Sequence, residues 1–403
     1  MSLISLEKYV EKERNGSPGW QDLFQRSEVA KKDSEPPYTV REILQQPWVW
    51  VESAKLAVEK SNEVNELLQP SPKVVLTGAG SSYFVGCTVD LLLRSRLQKE
   101  CVSIPTTDLI IAPRIYLFPA NTGLLISFSR SGASRESFEA IQAVRRHFPG
   151  FLHLLITCNS EGELITRFSK DPDFHALPLH PTTCDKGLAM TSSFTSMAIT
   201  AQMPVFGREV SEYLSHVQNL AELGRYVLAG SAEIYEAVRA SRPTRVCILG
   251  SGVLASAARE GALKILELSD GRIATLAESY LGVRHGPLSF IDRNTLVLYF
   301  LASDERIRKY ERDLVAEIRS NRLAGNTVAV GFGLEEDIAE LTDYSIELSQ
   351  SGVDYLADEF RPPIDVLLAQ VTALGLSLDR GLDPDNPSPR GAIHRVAQGV
   401  TIY

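Results

Sequence analysis

Residues 124–137 read Leu-Leu-Ile-Ser-Phe-Ser-Arg-Ser-Gly-Ala-Ser-Arg-Glu-Ser, an apolar segment that ends in serines around one glycine. A helix-like pattern starts at Glu136. This order predicts a strand, a loop and a helix, with hydroxyl and N–H groups at a helix N-terminus, where an anion is favoured. Gly132 lets the backbone close around a ligand because it has no Cβ. The loop therefore predicts a phosphate site, and the alternative is an ordinary loop with a serine N-cap.

A second loop, at residues 74–83, has the same design: Val-Val-Leu-Thr-Gly-Ala-Gly-Ser-Ser-Tyr. An apolar strand again leads through glycines and paired serines into a helical pattern. Backbone N–H groups in such turns form concave sites that suit phosphate. The repetition favours phosphate binding over an ordinary pair of loops.

Short apolar segments alternate with helical patterns between residues 73 and 207. Strands are expected at residues 74–77, 101–105, 123–129 and 153–158. Strands that alternate with helices predict βαβ units and a parallel sheet covered on both faces.

The pattern then repeats, since residues 245–252 (Arg-Val-Cys-Ile-Leu-Gly-Ser-Gly) resemble residues 73–80 (Lys-Val-Val-Leu-Thr-Gly-Ala-Gly). Further strands are expected at residues 295–300 and 327–330. The predicted fold class is α/β, with two tandem domains that are each a parallel sheet flanked by helices, flavodoxin-like and doubly wound. The expected divisions are an N-terminal extension with a lead-in helix (1–55), a first domain (56–210), a helical linker (211–242), a second domain (243–381) and a C-terminal tail that docks at the site (382–403).

Helix periodicity and proline positions predict further elements. Proline disfavours a helical conformation for the residue before it, so a helix is expected to end before Pro47. The expected helices lie at residues 39–46, 48–68, 211–240 and 255–268, and an irregular connector lies at 31–37.

Composition limits the kind of protein. A length of 403 residues favours two domains. The 41 basic and 50 acidic residues give a net charge of −9 without a basic block, which argues against a nucleic-acid or membrane-surface partner. No segment approaches the ~20 apolar residues of a membrane span, and the N-terminus lacks a signal-peptide pattern. The expected location is the cytoplasm.

Metal and cofactor sites are not expected. The five cysteines are odd in number and lack CxxC spacing, which favours thiols over disulfides. His175, His180, Cys184 and Asp185 lie close in sequence, yet their spacing matches no familiar zinc pattern.

The two serine loops resemble the phosphate-binding segments of the sugar isomerase (SIS) domain family. The usual second loop of that family is Ser-Gln-Ser-Gly-Glu-Thr, so Arg130, Ala133 and Ser134 depart from it. Ser134 keeps the hydroxyl, and Arg130 either pairs with phosphate or lies in solvent. The phosphate contacts that this resemblance implies are Gly80, Ser81, Ser82, Ser129, Arg130, Ser131 and Ser134.

Two later segments resemble the isomerase half of glucosamine-6-phosphate synthase: residues 260–267 (Glu-Gly-Ala-Leu-Lys-Ile-Leu-Glu) and 285–288 (His-Gly-Pro-Leu). The resemblance implies that Glu267 moves a proton between C1 and C2 of the sugar. It implies that His285 opens the ring from the neighbouring subunit and that Lys264 is a polar member of the site. The alternative is a surface ion pair between Lys264 and Glu267, which their apolar neighbours disfavour.

The tail departs from the amidating member of the family, which holds its ketose as a Schiff base on a C-terminal lysine. Gln398 takes that position here and cannot form an imine. Residue 2 is serine and no glutaminase domain precedes residue 73, so amino-sugar synthesis is disfavoured. Leu188 and Gln398 complete the expected substrate contacts.

The chain as a whole resembles the AgaS-type galactosamine-6-phosphate deaminase/isomerases of this family. The resemblance implies conversion of galactosamine 6-phosphate to tagatose 6-phosphate and ammonia, a small hexosamine 6-phosphate as partner, and a homodimer. Plain phosphosugar isomerisation and a non-catalytic phosphosugar-binding regulator are alternatives. Nucleotide binding is another, because residues 250–255 (Gly-Ser-Gly-Val-Leu-Ala) match GxGxxA but lack the acidic residue that should follow.

Overall fold

The computed structural model describes residues 4–31, 34–334 and 336–395. Strands and helices alternate along these residues. The strands are β1 Lys73–Thr77, β2 Glu100–Ser103, β3 Thr122–Ser129, β4 Gly150–Thr157, β5 Phe174–Pro178, β6 Arg245–Gly250, β7 Ala274–Glu278, β8 Thr295–Phe300, β9 Asn326–Gly331 and β10 Tyr344–Glu347. The helices are α1 Leu6–Asn15, α2 Pro18–Ala30, α3 Thr39–Leu44, α4 Gln46–Glu59, α5 Ser61–Leu68, α6 Ser81–Leu97, α7 Thr106–Ile111, α8 Pro113–Leu117, α9 Arg135–His147, α10 Glu163–Phe168, α11 Ser192–Gln202, α12 Val210–Val238, α13 Val253–Leu268, α14 Glu305–Ser320, α15 Glu336–Ala339 and α16 Pro362–Asp379.

The strands form two parallel sheets with one topology. The first has the order β2-β1-β3-β4-β5 and the second β10-β9-β8-β6-β7. Counted from its own first strand, the first sheet has the flavodoxin-like order 2-1-3-4-5, and the second sheet likewise changes direction at its first strand. The predicted α/β class with two tandem, doubly wound domains is confirmed.

Two strands, β5 and β10, were not predicted from the sequence, and β7 was predicted only as a poor strand. Each lies at the edge of its sheet. An edge strand has a neighbour on one side only, so its residues are partly exposed and its sequence is mixed; β7 reads Ala-Thr-Leu-Ala-Glu and contains no buried residue. The central strands have the continuous apolar sequences that made them recognisable.

The helices before the first sheet correct the sequence prediction. The helix expected at residues 48–68 is two helices, α4 and α5, with Lys60 between them in a non-helical conformation. Helix α3 ends at Leu44, before Pro47 as expected, but Pro47 is itself the second residue of α4, since the first turn of a helix does not need the missing N–H. The N-terminal extension contains α1 and α2, which bury Trp20 and Leu23.

The chain folds as two compact units. The first-sheet unit comprises residues 49–185 and 192–218 and ends with His394 and Arg395, the last described residues. The second-sheet unit comprises residues 4–48, 186–191 and 219–393. Each sheet has its own hydrophobic core.

Helix α16 is the most buried helix of the second-sheet unit, with every residue from Pro362 to Leu378 buried. It packs against α13, where Gly261 lies close to Ala369; a Cβ at Gly261 would approach the Ala369 methyl to 2.7 Å. Among the described helices, none combines the length and the apolar character needed to cross a membrane.

Two histidines of the first-sheet unit, the buried His153 and the partly buried His216, are expected to make that unit sensitive to acid. Burial, together with the Arg145 guanidinium, lowers the pKa of His153 to about 4, although Asp171 and Asp173 act in the opposite direction. Burial lowers the pKa of His216 to about 4 as well, and its Nε2 lies 3.1 Å from the Gln202 Oε1. Both rings therefore stay neutral in the folded protein at pH values at which an unfolded chain binds a proton.

The contribution of the two histidines to the free energy of unfolding is therefore expected to be fully present above pH 6.5 and to be lost progressively between pH 6.5 and about 4. Each histidine should lower the free energy of unfolding by about 2 kcal/mol between about pH 7 and about pH 5. His153→Phe should flatten the pH dependence by that amount in urea titrations at the two pH values. His147→Gln, in the last turn of α9, serves as the control, and an unchanged slope in His153→Phe would contradict the assignment.

Candidate active site

The two predicted phosphate loops lie at the switch point of the first sheet. In a sheet of order 2-1-3-4-5 the connections leave β1 and β3 in opposite directions, which opens a crevice at their carboxyl ends, where ligands bind in open α/β sheets. Strands β1 and β3 are paired with Thr77 beside Ser127. The serine loops therefore begin from two adjacent strands at the same edge.

The loop after β1 turns at Gly80, which has φ 57° and ψ −127°. Such a positive φ favours glycine and allows α6 to start directly at Ser81. Ser81 and Ser82 are both buried within the first turn of this helix. The three predicted residues of this loop thus lie together at the N-terminus of a 17-residue helix, where the dipole favours an anion.

The loop after β3 is held by its own hydroxyl groups. Ser129 Oγ accepts a hydrogen bond from the N–H of Gly132 at 3.1 Å, and Ser131 Oγ accepts one from the N–H of Ala133 at 3.2 Å. A hydroxyl that accepts a hydrogen bond still has its own proton to donate. Both hydroxyls can therefore shape the loop and donate to a phosphate oxygen.

Ser134 is the N-cap of α9, because its Oγ accepts from the N–H of Ser137 at 3.1 Å. The Ser137 hydroxyl lies 2.7 Å from that of Ser134 and is buried. Ser137 was missed in the sequence analysis. Its position three residues after an N-cap serine could have indicated it, since this spacing places both side chains at the same helix start.

Arg130 does not lie in solvent. It is 7% exposed, and its Nη2 donates to the carbonyl oxygen of Arg395 at 2.5 Å. The other predicted contacts do not belong to this loop. Leu188 is buried in the second-sheet unit, where its N–H donates to the carbonyl of Asp385, and Gln398 lies outside the described residues.

Helix α13 carries a buried charged group. Lys264 is completely buried; its Nζ donates to Oε2 of Glu267 and lies 3.4 Å from Oε1 of Glu260. Glu260 is also buried, whereas the Glu267 side chain is 24% exposed. A buried ammonium needs such carboxylate partners to offset its loss of hydration. The pair is therefore not a surface ion pair, and Glu260, which had no role in the sequence analysis, is part of it.

The two faces of the second sheet carry different elements. Alternate residues of β6 point to opposite faces. A Cβ at Gly261 of α13 would lie 2.9 Å from the side chain of Ile248, so α13 covers that face. The adjacent residue of β6, Cys247, points to the opposite face and packs in one cluster with Tyr280 and Val283. The connection from β7 to β8 therefore covers that face.

Glu267 and His285 consequently lie on opposite faces of this sheet. Glu267 is near the end of α13, and His285 is exposed on the β7–β8 connection, just after the 3₁₀ turn Gly282–Arg284. The second-sheet unit of one chain therefore does not bring the two predicted catalytic residues together.

The switch point of the second sheet differs from that of the first. Gly252 has nearly the same conformation as Gly80, with φ 57° and ψ −125°. After β8, however, the N–H of Ala302 donates to Glu311 and the N–H of Ser303 donates to Asp358, at 2.8 and 2.7 Å. These N–H groups are therefore already bonded within the protein, which disfavours their use for nucleotide phosphates at residues 250–255.

The residues weighed as metal ligands have other contacts. His175 Nδ1 lies 2.6 Å from a carboxylate oxygen of Glu63, and the Asp185 carboxylate accepts the N–H groups of Ser192 and Ser193 at the start of α11. Within the described parts of the chain, no group of three or more His, Cys, Asp or Glu residues could hold a metal ion.

The fold and the serine loops define the class, an α/β protein with two tandem domains of the sugar isomerase (SIS) type. No family model matches the chain. A D-galactosamine-6-phosphate deaminase AgaS of Escherichia coli is 36% identical over 379 residues, which are 91% of this chain and 95% of the relative. The chain therefore belongs to the AgaS family.

Further relatives agree with this assignment. The crystal structure of a tagatose-6-phosphate ketose/aldose isomerase from Escherichia coli is 34% identical, with a TM-score of 0.80 and coverage of 91% of this chain and 96% of that one. A glutamine–fructose-6-phosphate aminotransferase of Pyrobaculum aerophilum is 27% identical over 93% of this chain and 59% of its own length.

Proposed function

We propose that the protein is a deaminase that converts galactosamine 6-phosphate and water to tagatose 6-phosphate and ammonia. The observation that carries this proposal is the buried group on α13. A fully buried Lys264 donates a hydrogen bond to the partly exposed carboxylate of Glu267, so a charged donor fixes the position of the group that we assign as general base. The 36% identity to a deaminase over 91% of the chain supports the same reaction.

The proposed reaction is a proton transfer followed by hydrolysis. The phosphate binds Ser82, Ser129, Ser131 and Ser134, and His285 opens the pyranose. Glu267 removes the proton from C2 to give an enolamine and returns it to C1. The resulting imine at C2 takes up water and releases ammonia, which leaves the ketose 6-phosphate. The binding energy of the phosphate helps to hold the reacting carbons in place for the proton transfer.

We further propose that the protein acts as a homodimer in the cytoplasm. Glu267 and His285 lie on opposite faces of the second sheet, so one sugar meets both residues if a second copy supplies one of them. The cysteines support the location: all five are thiols rather than disulfides, and four are buried.

A coupled ammonia assay tests the reaction. Galactosamine 6-phosphate, glucosamine 6-phosphate and their N-acetylated forms are offered in parallel, and we expect ammonia release to be fastest with the first. N-acetylated substrates should release none, because an amide nitrogen does not form the enolamine. The absence of ammonia from all of the free hexosamine phosphates would contradict the proposal.

Plain aldose–ketose isomerisation is the second candidate, favoured by the likeness to a structure named as a tagatose-6-phosphate ketose/aldose isomerase. The same base and the same phosphate loops would serve this reaction. Interconversion of tagatose 6-phosphate with its aldose, without ammonia release from any amino sugar, would favour it.

A further inference from the structure

Arg130 departs from the usual second loop of the SIS domain family, and the sequence did not predict its partner. It lies between Ser129 and Ser131, yet its buried guanidinium donates to the carbonyl oxygen of Arg395 at 2.5 Å. The two residues are 265 positions apart in the sequence. The phosphate loop is thus joined to the last described residue of the chain.

Arg395 is itself held from a second side. Its Nε donates to the carbonyl of Asp185 at 2.8 Å, its Nη2 donates to the same carbonyl, and Nη2 also lies 3.5 Å from Sγ of Cys184. That sulfur lies 3.8 Å from the carbonyl of Arg130. Arg130, Arg395 and residues 184–185 therefore form a closed ring of contacts, which we name the arginine ring.

One member of the arginine ring, Asp185, is held by buried hydrogen bonds. The Asp185 side chain is completely buried, and its carboxylate accepts the N–H groups of Ser192 and Ser193 at 3.1 and 2.9 Å. These bonds tie residue 185 to the start of α11. Arg395 therefore links the phosphate loop to a part of the first-sheet unit that is held by buried hydrogen bonds.

We propose that Arg130 is a positioning residue, which sets the geometry of the 129–134 loop by binding the chain at Arg395 and does not touch the phosphate of the substrate. The proposal rests on the proposed function, because it takes this loop to bind that phosphate. A hydrogen bond from a charged donor changes an equilibrium by at least about tenfold. Loss of the contact should therefore be measurable both in the tail and in catalysis.

Limited proteolysis with trypsin tests the contact without any substrate. Trypsin must take up the Arg395 guanidinium and attack the Arg395 carbonyl, the two groups that the arginine ring holds. We expect cleavage after Arg395 to be at least about tenfold faster in Arg130→Gln than in the wild type. Arg146→Gln removes an exposed arginine from the same unit and should change nothing. Equal rates in the wild type and Arg130→Gln would overturn the proposal.

Kinetics then separate positioning from direct phosphate contact. We expect Arg130→Gln and Arg395→Ala each to lower kcat/KM about tenfold and to weaken inhibition by inorganic phosphate equally, with the double variant no worse than either. Arg130→Lys, which can still donate to the carbonyl, should recover part of the loss. Weaker phosphate inhibition in Arg130→Gln alone, or independent effects that multiply in the double variant, would overturn the proposal.

The two proposals fail differently. If the wild type releases no ammonia from any hexosamine phosphate, the proposed deaminase function fails, whereas the proteolysis still decides the contact between Arg130 and Arg395. If ammonia is released but both arginine variants keep full kcat/KM, the positioning role fails and the deaminase function stands.

Discussion

Glu267→Gln is expected to lower kcat for ammonia release by about 10²–10⁴-fold or more, because an amide cannot take up the C2 proton. Binding of galactosamine 6-phosphate, measured by calorimetry, should change little, since the phosphate contacts lie in other loops. The fold should also survive, because Lys264 can donate to the amide oxygen and keeps its second partner, Glu260.

The matched control is Glu305→Gln, which replaces an exposed glutamate in the first turn of α14. It should keep the turnover of the wild type. Turnover in Glu267→Gln within about tenfold of the wild type would remove Glu267 from the role of base.

The largest effect on stability is expected from Arg361→Met. Arg361 is completely buried and binds both oxygens of the buried Asp365, at 3.0 and 2.7 Å, and the carbonyl of Leu301 at 2.9 Å. Burial raises the pKa of Asp365, Arg361 acts in the opposite direction, and the nearby Asp358 raises the pKa further. Removing the guanidinium leaves this acid buried without its counter-charge, which should lower the free energy of unfolding by about 3–5 kcal/mol.

Urea titrations of three variants test this expectation. Arg361→Met combined with Asp365→Leu should recover most of the loss, because a buried ion pair replaced by apolar residues of similar size costs little. Arg319→Met removes an exposed member of a salt bridge with Asp343 and should cost less than about 1 kcal/mol. A double variant that is less stable than Arg361→Met would contradict the explanation.

Much of the fold could be predicted because central parallel strands are continuous apolar segments. The strand predicted at residues 295–300 has the observed bounds of β8, and the likeness between residues 73–80 and 245–252 corresponds to a strand, a glycine turn and a helix in each of the two sheets. The edge strands β5, β7 and β10 could not be predicted, because half-exposed positions do not require an apolar sequence. The assignment of α1 and α2 to the second-sheet unit depends on long-range contacts such as that of the Trp20 indole with the carbonyl of Leu228.

The site could be predicted in part. The succession of apolar segment, serines and helical pattern predicted that the serines lie at helix starts. The apolar neighbours of Lys264 indicated that its side chain is buried. The partners of Arg130 and Arg361 could not be predicted, because a buried arginine and an exposed one have the same sequence signature. The separation of Glu267 from His285 depends on which face each connection covers, which the topology determines and the motif does not.

The carboxylates of Glu311 and Asp358 at the end of β8 have a consequence for stoichiometry. They accept, from within the protein, the hydrogen bonds that the N–H groups of Ala302 and Ser303 would otherwise donate to a ligand. Among the described residues of the two sheets, we therefore expect one anion-accepting crevice per chain rather than two. A saturating phosphosugar should accordingly titrate to one equivalent for each chain, so that the number of bound molecules counts chains and not domains.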